Sequence, residues 1–488
     1  MALAGTLERG LAVLRAVSAA PERPVRATDL TRVTGLARST VDRVVATLAH
    51  LGHLRVEGRE VRLAPPLMAL GEAYLACDGL AGLLGPRADR LARELDESVS
   101  LAVLDGDGLR LVGRFTRRRT MSIAFRAGEL LPADRCAAGL ALLDPAAPWA
   151  EDDQLLEPGL VAVAMPVRDA TGRAVCALSV ASHTSRHTVA GLRDHALPYL
   201  REAVAEMEAA LAAPVPPPAP PAATDTSRAA KEEMGAEYLQ SLARGLAVLV
   251  ALGSARGGLT LSAAARATGL PRVTVRRALL GLTRLGYAAQ EDARFVLLPR
   301  VLELGYAHLS ARTLEEIIRP HLLDLVARVR ESASVAMLSG DEVVYVARVP
   351  VMSIMSVDIT VGTRFPAYAT SMGRVLLADL PDDRLPAIAP RPLTSRTVTS
   401  PGELTAALRQ VRTDGYALVD QELEDGVRSI AVPLHDRDGR VVAAMNVATH
   451  VSRATATDLL RDVLPTLRET AARITTDLTH VRRDLLHP

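Results

Sequence analysis

Cysteine is almost missing from this chain. Its three cysteines, Cys77, Cys136 and Cys176, lie far apart and form no Cys-x-x-Cys pair. That excludes a disulfide framework and a cysteine zinc site, and it fits a reducing cytoplasm. Charge of one sign is lacking too: 57 Lys and Arg face 56 Asp and Glu, a net charge of +1. Any surface for a polyanion must therefore be a local patch. No apolar run is long enough to span a bilayer, and the opening MALAGTLERG has no signal-peptide core. A cytoplasmic protein without a membrane partner is expected. There is no Walker loop and no Gly-x-Gly-x-x-Gly, so no nucleotide-phosphate cradle is foreseen. Phe, Trp and Tyr reach only 3%, a bias without mechanistic content, whereas 49% apolar and 23% charged residues describe an ordinary globular chain. At 488 residues it is too long for one core, so two to four domains are expected.

What the chain does contain is itself, twice. LERGLAVL at 7–14 returns as LARGLAVL at 242–249, and SVSLAVLDGDGLRLVGR at 98–114 returns as SASVAMLSGDEVVYVAR at 332–348. Gly35 pairs with Gly269 and Gly139 with Gly373, both offset by 234, while Pro166 pairs with Pro433, offset by 267. The first copy thus lacks 33 residues after Leu143. A repeat of more than two hundred residues is far above solenoid periods. It marks two fused proteins.

Each copy carries a helix-turn-helix pattern, TGLARSTVDRVVATLAHLGH at 34–53 and TGLPRVTVRRALLGLTRLGY at 268–287. Val275, Leu279, Leu282 and Leu285 recur at helical spacing and should point inward, which leaves Arg272, Thr274, Arg276 and Arg277 outside. Arginine forks on such a face can pair with guanine edges or clamp phosphates. A solvated basic face is the alternative reading of one copy, and recurrence favours DNA. In the first copy the matching face is Arg38, Ser39, Thr40 and Arg43, with Asp42 in the place of Arg276. The two helices should therefore not read identical half-sites. Alternating segments at 53–65 and 287–298 read as two-stranded wings. Arg244 on the first helix of copy two and Arg294 on its wing are candidate phosphate contacts. The short helix near 28–33 should be capped by Thr28 or Asp29, and 299–310 should be a linker helix with Leu302, Tyr306 and Leu309 on one stripe.

The domain reading is a winged helix-turn-helix at 1–65, a second domain at 66–213, a proline-rich linker at 214–234, a second winged head at 235–299 and a second copy of the following domain at 300–488. Strand pairs followed by helices make the fold class α+β. The proline run should be extended polyproline II, able to let the halves pair or merely to tether them.

At YLQSLARGLAVL, LTLSAAARATGLPRVTVRRALLGLTRLGY, GTRFPAYATSMGRVLLA and GYALVDQELEDGVRSIAVPLHDRDGRVVAAMNVATHVSR, the chain resembles the IclR family of bacterial transcriptional regulators. The likeness is closest to the branch controlling aromatic-acid catabolism through protocatechuate and β-ketoadipate. It covers nearly all of 238–483 and, more loosely, 7–211. The resemblance implies a winged head, a GAF-like α/β effector domain, a DNA operator, a small organic acid as effector, and a homo-oligomer or an intramolecular pseudo-dimer. It also implies an effector pocket at Ala369, Thr370, Ser371 and Met372 with the strands carrying Val427, Ser429, Asn446 and Ala448. A helix starting after FPAY would favour a carboxylate, and Arg428 and Arg364 are the candidate cations. Strand alternation cautions that Arg428 faces away if Ser429 faces in. In copy one Thr370, Ser371, Arg428 and Ser429 become Cys136, Ala137, Val161 and Ala162, so that domain is expected to be a degenerate sensor kept for pairing.

Rival chemistry is thin. ATSMG lacks the first glycine of a nucleophile elbow and has no His or acid partners, and a capping serine is the simpler reading. His183 and His187 sit in SHTSRHT, a loop without a third ligand. No catalytic residue, metal site or cofactor is therefore assigned. A constitutive architectural DNA-binding protein and a small-molecule hydrolase are the competing classes.

Overall fold

The computed structural model describes residues 5–20, 24–116, 125–144, 146–213, 227–310, 312–351, 359–381, 388 and 390–479. The chain divides into two compact units, Met1–Ala311 and Arg312–Pro488. The first head is built from α1 (Thr6–Ser18), β1 (Val25–Arg26), α2 (Ala27–Thr34), α3 (Arg38–His50), β2 (Leu54–Glu57) and β3 (Glu60–Leu63). Its wing is a three-stranded sheet of order β1-β3-β2. The α2–α3 turn is set by Gly35 at φ 68°, a left-handed conformation that costs glycine nothing. Neither Thr28 nor Asp29 is the N-cap of α2. Arg26 is, and Asp29 sits three positions inside, where its carboxylate accepts from the Arg26 backbone N–H at 3.2 Å.

Helices α4 (Met68–Asp78) and α5 (Leu80–Leu95) lead into the first effector-like domain. It comprises β4 (Ser98–Asp105), β5 (Gly108–Phe115), β6 (Leu130–Pro132), α6 (Ala137–Leu143), β7 (Ala150–Asp153), β8 (Leu160–Arg168), β9 (Ala174–His183) and α7 (Val189–Ala212). The antiparallel sheet has order β6-β5-β4-β9-β8-β7. Val99, Leu101, Val163 and Val180 on one face pack with Leu84, Ala88, Leu91, Leu192 and Leu200 of α5 and α7, and α6 covers the other face through Ala137, Ala138 and Ala141.

The proline run at 214–226 lies outside the described residues. The remainder of the expected linker is not extended, since α8 (Ser227–Met234) is a helix. The second head follows with α9 (Gln240–Leu252), β10 (Leu259–Thr260), α10 (Leu261–Thr268), α11 (Arg272–Arg284), β11 (Ala288–Glu291) and β12 (Arg294–Leu297). The expected linker helix at 299–310 is broken. A 3-10 turn spans Pro299–Glu303, and α12 (Tyr306–Leu309) starts after Gly305, whose φ is 89°. A Cβ on Gly305 would stand 2.9 Å from Leu67 and 3.1 Å from Leu63, and the left-handed backbone there suits glycine.

Within this first unit the heads pack on each other through α1 and α9. A Cβ on Gly10 would fall 2.3 Å from Leu242 Cδ1, and one on Gly245 would fall 2.6 Å from Leu7 Cδ1. Leu7 and Gly10 are the repeat partners of Leu242 and Gly245. Residue i of one head therefore meets j of the other while j meets i, the signature of a two-fold interface, here inside one chain.

The second unit repeats the effector fold. It comprises α13 (Leu314–Val329), β13 (Ser332–Ser339), β14 (Glu342–Val349), β15 (Arg364–Pro366), α14 (Ser371–Asp379), α15 (Pro401–Asp414), β16 (Ala417–Asp420), β17 (Val427–His435), β18 (Val441–His450) and α16 (Ala456–Asp458), which runs through a π turn into α17 (Leu464–Leu478). The sheet order is β15-β14-β13-β18-β17-β16, the same as in copy one. Ile430, Val432 and Val447 pack under α13 and α17, whereas Ala431, Ala444 and Ala336 pack under α14 and α15. No single helix among the described residues is long and apolar enough to cross a membrane.

Candidate nucleic-acid interface and ligand site

The recognition helices are α3 and α11. On α11, Val275, Ala278, Leu279 and Leu282 are buried, while Arg272, Arg276 and Arg277 are exposed and Thr274 is half-buried. The inward stripe thus leaves three guanidinium groups on one outer face. On α3, Arg38, Ser39 and Arg43 are exposed and Thr40 is half-buried. Here Arg38 is already engaged: its Nε donates to both Asp42 carboxylate oxygens, at 2.8 and 2.9 Å. The first helix offers a partly neutralised face, and Asp42 is the cause. Arg294 is exposed on the second wing with a bond from Nη1 to the Gly258 carbonyl. Arg244 is half-buried, and its Nε donates to Ser227 Oγ of α8 at 3.1 Å, which ties it to the linker side of the head.

Between the heads runs a polar layer that the sequence did not reveal. Arg15 donates to the Tyr287 hydroxyl at 3.0 Å and pairs with Glu303 at 2.9 Å, and Tyr287 donates to the same Glu303 oxygen at 2.7 Å. Arg284 pairs with the buried Glu8 at 2.8 Å. The repeat partners of these five residues are Val250, His53, Ala69, His50 and Ala243. The apolar contacts of the interface obey the repeat and the charged ones break it.

In the second effector domain the loop after β15 and the start of α14 lie over the sheet. Thr370 is the N-cap, its hydroxyl accepting from the Gly373 N–H at 2.9 Å. Ser371, read from sequence as the cap, is instead the first helical residue, and its hydroxyl bonds Ser429 Oγ at 2.8 Å. Ser429 faces Val419 on one side and Ala448 on the other. Val427 precedes it by two residues on the same face. Asn446, buried at 5% exposure, lies opposite Ser334 and Ala431, and its Oδ1 has no partner. Ala369 and Met372 are fully buried in the apolar core beneath α14.

The two candidate cations stand elsewhere. Arg428 points to the opposite face, where it grips both Asp420 oxygens at 2.9 and 3.0 Å and the Ala454 carbonyl at 2.6 Å. That guanidinium holds the Asp420 carboxyl below its usual range. Arg364 is exposed at the edge strand and pairs with Glu342 at 3.2 Å. The cation that does share the face of Ser429 and Asn446 is Arg348, in register with Ser334 and donating to its hydroxyl at 3.4 Å. Simple alternation misplaces it, because the register shifts at Val335/Ala336.

The 33-residue segment unique to copy two is fastened over this region. Tyr368 Oη bonds the backbone of Arg391, and Thr397 donates to the Glu422 carbonyl at 2.7 Å. Glu422 in turn forms a buried pair with Arg374. Leu140 and Leu155 occupy those two positions in copy one. His183 bonds Ser185 in its loop and His187 lies beside Glu97. No metal-binding cluster occurs among the described residues.

The helix-turn-helix domain of IclR proteins matches residues 6–58 and 241–292, and the C-terminal domain of bacterial IclR transcriptional regulators matches 72–148, 146–209 and 306–476. The chain belongs to the IclR family. It is a tandem duplication of the family's unit, and the break in the first C-terminal match falls where copy one lacks its segment. IclR members of known role are transcriptional regulators and not enzymes. The Pca regulon regulatory protein of Pseudomonas putida is 45% identical over 236 residues, 47% of this chain and 81% of that protein. The p-hydroxybenzoate hydroxylase transcriptional activator of Acinetobacter baylyi is 35% identical over 246 residues, 48% of this chain and 90% of that protein. A solved structure described as a transcriptional regulator from Rhodococcus sp. RHA1 is 53% identical, covering 50% of this chain and 98% of its own, with a TM-score of 0.44.

Proposed function

We propose that this IclR-family regulator reads an asymmetric operator with both heads of one chain and answers to a small organic acid held in its C-terminal effector domain. The observation that carries the reading is the pairing of α1 with α9 alongside two exposed but unlike recognition faces. A three-arginine helix and a helix whose Arg38 is held by Asp42 present different chemistry to the groove. Bidentate arginine suits guanine. The heads of one chain act as an intramolecular pseudo-dimer.

The acid reading is supported by the cluster of Thr370, Ser371, Ser429, Asn446 and Arg348 on one face of the second sheet. It offers hydroxyls, an unpartnered amide oxygen and a cation. The names of the two relatives point to regulation of aromatic-acid degradation, and an aromatic acid is the effector class proposed. Its binding would favour one arrangement of the effector fold and so change the affinity of the heads for DNA.

Calorimetric titration of the full chain with benzoate, 4-hydroxybenzoate and protocatechuate tests this. At least one should bind, and Ser429→Val should weaken it tenfold or more. An acid that binds equally well to Ser429→Val would remove this cluster as the site.

A further inference from the structure

The surface between the two heads is unlike on its two sides. About the pseudo-two-fold that relates α1 to α9, contacts of α1 with the second head should recur where α9 meets the first. The apolar ones do: Leu7 meets Gly245, and Leu242 meets Gly10. The polar ones do not. On one side Arg15 of α1 reaches Glu303 at 2.9 Å and the Tyr287 hydroxyl at 3.0 Å. Glu8, 6% exposed, takes Arg284 at 2.8 Å. On the other side the equivalent residues are Val250 with Ala69 and His53, and Ala243 with His50.

That second side is held by different means. Ala243 packs with Tyr238 and Ala230, with Leu51 and Met234 against them. His50 meets the Tyr238 ring edge-on, with 5.6 Å between centroids. The Thr47 hydroxyl of α3 accepts from the Leu239 N–H at 2.9 Å. The repeat partner of Thr47 is Gly281, which has no hydroxyl to offer.

These differences assign a partner to each head. Two copy-two heads paired in this geometry would set Arg284 against Ala243 on both sides, and Glu303 with Tyr287 against Val250. Neither ion pair forms, and Gly281 faces Leu239. Two copy-one heads would set Arg15 against His53 and Ala69, with no carboxylate. Glu8 would then meet an imidazole in place of a guanidinium that is always charged. A copy-one head on a copy-two head makes both ion pairs and the Thr47 bond. The leucine-on-glycine packing is common to all three pairings, so it supplies affinity and the polar layer supplies choice.

We propose that this polar layer is a partner-selection surface: it fits the copy-one head to the copy-two head of its own chain and rejects a second head of the same kind. The proposal rests on the paired heads of the proposed function and goes past them, since paired heads need not be selective. Rejection requires no clash, because desolvating a carboxylate without its counter-charge is unfavourable enough. Glu8 and Glu303 are the more buried members of their pairs, so they carry most of the choice. Chains that meet or exchange heads therefore still present one head of each kind, and an asymmetric operator is read in one direction.

The test uses the full chain carrying Leu7→Cys, Gly10→Cys, Leu242→Cys and Gly245→Cys, with a protease site placed in the proline run at 214–226. The three native cysteines are buried. In the uncut chain a short thiol cross-linker should join α1 to α9, and the absence of that product would remove the paired heads themselves. The chain is then cut, unfolded in urea and refolded by dilution, so that each head can take either partner. A denaturing gel separates cross-links between unlike halves from those between like halves by mass. Unlike pairs should outnumber like pairs about tenfold or more, where unbiased pairing gives equal numbers. Glu8→Ala with Arg15→Val, which gives α1 the residues of α9, should lower that ratio about threefold or more. An even ratio in the parent, or an unchanged ratio in Glu8→Ala with Arg15→Val, would overturn the selection and leave the paired heads standing.

Discussion

Replacing Gly245 by alanine tests whether the heads of one chain hold each other. The added Cβ would sit 2.6 and 2.7 Å from the two methyl carbons of Leu7, against the roughly 3.5–4.0 Å of an unstrained carbon contact. Either α1 and α9 move apart or Leu7 leaves its rotamer, an overpacking cost of about 1–3 kcal/mol. Alanine in place of glycine in a helix returns about 0.5–1 kcal/mol, so a net loss of about 0.5–2 kcal/mol is expected. Leu7→Ala alone should cost about 2–5 kcal/mol by opening a cavity, since Leu7 is 7% exposed. In the double variant the new methyl enters the space Leu7 vacated, so the two losses should fall short of additive by about 1 kcal/mol or more. Urea unfolding of the four proteins measures this, repeated over a hundredfold concentration range to separate a contact inside the chain from one between chains. Additive losses, or midpoints that rise with concentration, would refute the packing argument.

Four further outcomes follow from the same structure. Arg272→Ala or Arg277→Ala should weaken operator binding by about 1–3 kcal/mol in anisotropy titrations, whereas Arg38→Ala should cost less because Asp42 already occupies it, and Asp42→Ala should strengthen binding. Arg15→Val, which installs the residue of the other copy, leaves Glu303 and Tyr287 without their cation. It should destabilise by about 1–2 kcal/mol, a figure lowered by the exposure of the arginine. Arg374→Met leaves Glu422 buried without its cation, with only the Val398 backbone N–H donating to it among the described residues, and should lower stability by about 3–5 kcal/mol in denaturant unfolding. The Asp420 carboxyl is depressed by Arg428, so this pair contributes stability that is present above about pH 4 and is lost as pH falls through the lower folded value. Arg428→Met should flatten that acid limb in thermal melts at pH 2 to 5.

Local signals carried most of the fold. The repeat, the winged heads and the strand pairs follow from periodicity and turn glycines, and the recognition helices begin at the residues expected. What pattern could not deliver was tertiary. Gly305 breaks the linker helix at a left-handed φ of 89°, while its repeat partner Gly71 stays helical although both are closely packed. Arg15, Glu8 and Glu303 look like ordinary surface charges until the heads are brought together. Arg428 and Arg364 were chosen for their chemistry, yet both have acidic partners close by. Arg348 was missed because a bulge shifts the alternation on which strand faces are counted.

The central claim is that the paired heads bind DNA under the control of an acid in the second effector domain. Fluorescence anisotropy of the full chain on its own operator, with and without a saturating aromatic acid shown to bind by calorimetry, tests it most directly. The account predicts a change in operator affinity of fivefold or more that Ser429→Val abolishes. An unchanged affinity with the acid bound would contradict it.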